Sequence, residues 1–168
     1  MGMVFQLYAL PEAEYGKLKK CSTKFGMKRR DADKRLWDKL NHFSSSNPGW
    51  TCDTDKSWDM MLACFNHPEN RYLEGSLASR SLLGEENLGK SDSIHGVRAK
   101  SVPSVAGALE DFDVSKVSEV ISSLDPDDVY CVTGDDDVSY VIEHIHVLRN
   151  FYDKAAKTER AVVAALAM

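Results

Sequence analysis

The chain has no long hydrophobic run, few cysteines and no excess of basic residues, and each shortage removes a class of function. Its longest apolar stretch, Ala161 to Met168, falls far short of the roughly 20 residues a helix needs to cross a bilayer. No basic region precedes the apolar residues at the start, so neither a signal peptide nor a membrane association is expected. Position 6 is Gln6, where a myristoylation signal opening Met1-Gly2 requires Ser or Thr. The 4 cysteines, Cys21, Cys52, Cys64 and Cys131, form no C-x-x-C pair and have no paired histidines nearby. Reduced thiols in the cytoplasm are the expected state. Lys and Arg number 21 against 26 Asp and Glu, a net charge of −5, whereas general nucleic-acid binding requires clustered cations. The one basic run, Lys28-Arg29-Arg30, leads straight into Asp31 and Asp33 and reads as a solvated turn.

Signatures of chemistry are equally scarce. There is no P-loop, no dinucleotide G-x-G-x-x-G and no G-x-S-x-G elbow, so no cofactor is expected. His144 and His146 lie about 200° apart around a helix axis, which prevents them from facing one metal. His42, His67 and His95 fall near predicted element ends, and His67-Pro68 reads as a helix stop. Asp125, Asp127 and Asp128, followed by Asp135, Asp136 and Asp137, lack the ligand order of an EF-hand. The first set flanks a helix stop and the second complements a helix N-terminus. No metal site is expected.

What is present is an ordinary core. With 168 residues, 43% hydrophobic and 28% charged, the chain fits one domain able to bury a core without staples. Met3 to Leu10 suits a buried strand. Pro11 then opens a helix to Lys20, acidic early and basic late. Asp31 or Asp33 is placed to cap a second helix with the stripe Leu36, Trp37, Leu40 and Phe43, which ends at Ser44 to Gly49. A third begins near Thr54, carries Trp58, Met61, Leu62 and Phe65, and ends before Pro68. Leu77 to Leu83 is a helical turn closed by Gly84, Glu85 to Ser93 an exposed polar stretch, and Ile94 to Val102 a strand. Helices follow from Pro103, with Val105, Ala108, Leu109 and Phe112 inward, and over Val114 to Leu124. Val129 to Thr133 reads as a short strand. The longest helix has Val138, Val141, Ile142, Ile145, Leu148, Phe151, Tyr152 and Ala155 inward, and Ala161 to Ala167 closes the chain as a strand. Strands and helices do not alternate regularly, which favours α+β.

Particular segments resemble a known family. Met1-Gly2-Met3 opening a strand, Asp55-Lys56-x-Trp58 before a helix, Leu82-Leu83-Gly84, Val102-Pro103, and Phe151-Tyr152-x-x-Ala155-Ala156 before a closing strand are similar in order and spacing to the bacterial YfbM-like domain of unknown function. The likeness covers about four fifths of the chain. It implies an α+β fold with a mixed sheet that includes both terminal strands, packed by several amphipathic helices in a single domain over 1–168. The stretch Gly26 to Thr51 reads as an insertion atypical of the family. Met60, Met61 and Ala63 stand where members often carry histidine and aromatic residues. The resemblance brings no activity with it.

The remaining candidate site is the corner around Asp55, Trp58, Arg71 and Arg80. In its structural reading Trp58 anchors the core and Asp55 caps a helix. In its functional reading the loop Asn66 to Gly75 folds over a cleft whose arginines hold a carboxylate, a phosphate or an acidic side chain. No catalytic set is assembled, so the leading expectation is a partner-binding or regulatory protein, a possible inhibitor of a basic protein, steered by its acidic balance. The alternative is a hydrolase-like enzyme acting on an anionic substrate at the Trp58 and Arg80 cleft.

Overall fold

Five strands of the computed structural model, β1 (Val4–Leu10), β2 (Thr51–Asp53), β3 (Glu86–Asn87), β4 (Ile94–Val97) and β5 (Ala161–Ala167), form one sheet in the order β2-β1-β5-β4-β3. The structure describes residues 3–22, 29–73, 75–91, 93–130 and 136–167. The helices are α1 (Glu12–Ser22), α2 (Arg29–Ser46), α3 (Trp58–Phe65), α4 (Arg80–Leu83), α5 (Val102–Glu110), α6 (Val117–Ser123) and α7 (Asp137–Lys157). The architecture is α+β, and none of these helices is long and apolar enough to cross a membrane.

The terminal strands lie at the centre. Val4 pairs with Ala167 and Leu10 with Ala161, so β1 and β5 run antiparallel along their whole lengths. Their nearly continuous apolar sequences, interrupted in β1 by Gln6, follow from burial on both faces. Side chains alternate along a strand, and Phe5, Leu7, Ala9, Val162 and Ala164 join one cluster with α3, α5, α6 and α7. Tyr8, Leu10, Ala161, Val163 and Ala165 face the other way, onto Tyr15 and Leu18 of α1 and Leu36 and Leu40 of α2.

Four expectations need correction. The sheet is antiparallel at every described pairing, where a mixed one was expected. Two helices, packed on each other, separate β1 from β2. The chain therefore returns running the opposite way, whereas one crossover helix returns it parallel. The stretch after Gly84 is not wholly exposed: Glu86 pairs with Gly96, Asn87 pairs with His95, and Leu88 is buried. Asp31 and Asp33 lie inside α2, which starts at Arg29. Asp33 caps nothing in its own helix and instead accepts the Lys90 and Ser91 amides, at 2.7 and 3.1 Å. Val129 lies in a bend and Tyr130 in a turn rather than in a strand, and Cys131 to Asp135 lie outside the described residues.

Two glycines set the approach of β4. Gly84 has φ +67°, and a Cβ there would meet the His95 Cβ at 2.7 Å. At Gly96 a Cβ would sit 2.2 Å from the Tyr15 hydroxyl and 2.9 Å from Leu88, because α1 rests directly on the strand. Gly96→Ala is expected to destabilise the chain by about 1–3 kcal/mol through overpacking. Gly107, mid-helix in α5 with nothing within 4 Å, gives the opposite sign: Gly107→Ala is expected to gain about 0.5–1 kcal/mol. Urea unfolding of both variants checks the pair.

Candidate functional site

Helix α3 reads WDMMLACF and buries Trp58, Asp59, Met60, Met61, Leu62, Ala63 and Phe65. A carboxylate in such a helix has little water to solvate it and needs a cation. Arg71 supplies one: its Nε lies 2.9 Å from Asp59 Oδ1, with side-chain exposures of 13% and 1%. The other oxygen, Asp59 Oδ2, accepts the Tyr130 amide at 2.9 Å. Arg71 also donates Nη1 to the Pro68 carbonyl at 3.2 Å and Nη2 to the Asp128 carbonyl. Its fork is thus engaged by protein groups on three sides. Burial alone lowers the Arg71 pKa, but the Tyr72 hydroxyl and the Asp59 charge outweigh it and hold the guanidinium above its usual value. Burial, then hydrogen bonding towards Asp59, pushes the Tyr72 phenol up, against the opposing pull of Arg71.

Trp58 closes the corner. Its indole N–H donates to the Met3 carbonyl at 3.1 Å. Its ring meets Phe5 edge-on at 5.3 Å, stacks on Tyr130 at 6.0 Å and tilts towards Tyr72 at 6.5 Å. The structure therefore brings Trp58 and Arg71 together. Asp55 goes elsewhere: exposed, at φ 46°, it accepts the Tyr140 hydroxyl of α7 at 2.8 Å. Asp55 does not cap α3, whose N-cap, Ser57, makes no side-chain capping bond. Arg80 opens the short helix α4, half-buried.

Between α3 and α4 the chain makes a fastened loop. Asn66 Nδ2 donates to the carbonyls of Arg71 (2.9 Å) and Leu73 (3.1 Å), and its Oδ1 accepts the Ser76 amide at 3.0 Å. Ser79 is tied to Ser76 twice, at 3.0 and 2.8 Å. On this framework Tyr72, Leu73 and Leu77 are exposed to 55%, 63% and 45%. Glu69 and the run Asp125, Asp127 and Asp128 are exposed, and the Asp128 carbonyl is one of the groups that hold Arg71. The expected site contained Trp58 and Arg71 but lacked Asp59, Tyr72, Leu73, Leu77 and Tyr130. Asp59 had a signal, an acid with apolar residues on every side of its helix. The loop residues had none, because an exposed leucine is not marked by periodicity.

A second titratable cluster joins α1 to the β3–β4 hairpin. The Tyr15 hydroxyl donates to Glu86 Oε1 at 2.7 Å, Lys19 pairs with Glu86 Oε2, and Arg98 Nε lies 3.2 Å from Glu85. Burial raises the Tyr15 phenol, and its bond to Glu86 adds to that shift. Burial also raises Glu86, but Lys19 and Tyr15 outweigh it and keep the carboxylate below its usual range. Mutual neutralisation makes this an attachment. No group of three His, Cys, Asp or Glu side chains among the described residues is placed to hold a metal.

Two experiments follow from these contacts. Asp59→Ala strands Arg71 and removes the Tyr130 amide's acceptor. It is expected to cost roughly 3–5 kcal/mol in urea unfolding, and Asp59→Asn, which keeps an acceptor, less. Burial raises the Cys52 and Cys64 thiols to about 12, with the Asp53 charge adding at Cys52. Thiolate is therefore scarce at both near pH 8. Mass mapping after iodoacetamide treatment should find Cys21 modified well before Cys52 and Cys64, and all three modified together in urea.

Comparisons with known proteins agree with this fold. A family model described as "Domain of unknown function (DUF1877)" matches residues 1–165. The chain is similar in structure to the crystal structure of a protein of unknown function, YfbM, from Escherichia coli, with TM-score 0.67 and 14% identity over 98% of this chain and 99% of that one. No curated protein matches the chain.

Proposed function

We propose a partner-binding role for this chain, which belongs to the DUF1877 family: it holds another protein through the loop between α3 and α4. One observation carries the reading. Tyr72, Leu73 and Leu77 are large, apolar and exposed on a loop that Asn66 and Arg71 hold in place. Apolar side chains presented on a prearranged backbone bind with little ordering cost, and an aromatic among them is a usual anchor. Exposed acids border the anchor, so the complementary partner surface is basic around an apolar hollow. An inhibitor or regulator of a basic protein in the bacterial cytoplasm fits this chemistry. Cys21, Cys52 and Cys64 as free thiols suit a reducing compartment.

Hydrolysis at the same corner is less favoured. Arg71 is engaged on three sides by protein groups, and Trp58 is only 5% exposed.

Photoreactive benzoylphenylalanine in place of Leu73, irradiated in living host cells, tests the loop. One discrete adduct is expected, with a contact peptide rich in Lys and Arg, and adding Leu77→Asp should reduce its yield at least tenfold. A diffuse smear of adducts, or an adduct indifferent to Leu77→Asp, overturns the reading.

A further inference from the structure

On the opposite face of the sheet, α1 and α2 leave a groove of about 540 Å3 between them, within the usual size of a small-molecule site. Its floor is apolar: Leu10 from β1, Leu18 from α1, and Leu40 and Phe43 from α2. Its rim carries charges of both signs, but they are not equally available. Glu14 is paired with Lys17 at 2.6 Å, and Asp38 with Lys34 at 3.0 Å. Lys39 and His42 also line the groove, are exposed, and make no ion pair or hydrogen bond with any described residue. Three residues apart on α2, they are neighbours on one helix surface. In a chain of net charge −5, an apolar trough with two unanswered nitrogen donors at its edge is electrostatically complementary to one kind of occupant.

We propose that this groove binds a small amphipathic anion, an aliphatic or aromatic body ending in one carboxylate. The body lies against the half-buried Phe43, above the buried Leu10, Leu18 and Leu40, and displaces water from the trough. The carboxylate meets the Lys39 ammonium and accepts a hydrogen bond from the His42 ring. The site is separate from the loop between α3 and α4, so it adds to the partner-binding reading and does not depend on it.

Decanoate, kept below its micelle concentration and titrated calorimetrically into the full chain, is the test. Saturable binding of one equivalent is expected. The double variant Lys39→Glu with His42→Glu, both exposed, should weaken it at least tenfold, and decanol, with the same body and no charge, should bind correspondingly worse. The loop variant Leu73→Ser with Leu77→Ser should bind decanoate unchanged, which separates this site from the proposed partner surface. The proposal is overturned by the absence of saturable uptake, by several equivalents bound, or by decanoate affinity that ignores both rim substitutions while circular dichroism shows an intact fold.

Discussion

The antiparallel pairing of β1 with β5 is the constraint on which the remaining structure depends. It joins segments as far apart as Ala9 and Arg160, themselves linked by a hydrogen bond across 151 positions. Closing a loop of that length costs roughly 4–5 kcal/mol of chain entropy by its logarithmic dependence on length. No single contact offsets such a cost. Burial on both faces does, since Leu7, Ala9, Ala161, Val162, Val163 and Ala165 are inaccessible to solvent. Once the ends are paired, β2 adds to one side, and β4 with β3 to the other. The small side chains of β5 also let helices approach closely, as Tyr152 of α7 does in reaching the Ser81 carbonyl at 2.9 Å.

Within the larger helical layer a second constraint operates. Asp59 is a carboxylate at 1% exposure in an otherwise apolar helix, and a buried ion pair of this kind gains little net stability over an apolar substitute. Its value is geometric. Because Asp59 must meet Arg71 and the Tyr130 amide, the loop after α3 and the turn before α7 are fixed relative to each other. The same clasp that satisfies the carboxylate leaves Leu73 and Leu77 exposed, while Tyr72, also exposed, turns its hydroxyl towards Asp59 and its ring under the Arg71 guanidinium. Solvent exposure of apolar side chains is thus a by-product of polar satisfaction beneath them, and the link from core energetics to the proposed partner surface runs through one residue pair.

The two faces of the sheet carry different kinds of surface. On the α3 to α7 side the notable feature is a projecting loop bordered by acids, suited to a protein partner. On the α1 and α2 side it is a recess edged by Lys39 and His42, for which we propose a small anion. Some charges elsewhere are matched at short range, as in the Lys19, Glu86 and Tyr15 attachment, while Lys154 and Arg160 lie over the Trp50 ring at 4.0 and 3.7 Å. The histidines are dispersed on α2, β4, α7 and the turn at His67.

Much of the fold was legible because it follows from spacing. The helical stripes in α3, α5 and α7 and the apolar segments at both ends announced which faces are buried, and Gly84 announced a left-handed turn. Asp33 and Asp55 look like helix caps in the sequence, since a short acid near a helix start is locally indistinguishable from one bonding a distant amide or hydroxyl. Trp58 and Arg71 were legible as a pair by residue type, yet their setting was not, because the Asp59 clasp and the Tyr130 stack join positions more than ten residues apart. The sequence by itself determined most of the helices, the two terminal strands, their buried faces and the α+β class, since those are fixed by propensity and periodicity within a few turns, whereas the short strands β2 and β3 carry no such pattern. Tertiary structure alone decided sheet direction, the loop's outward apolar face and the groove between α1 and α2. Each of these arises from contacts between remote segments, whose geometry no local pattern encodes.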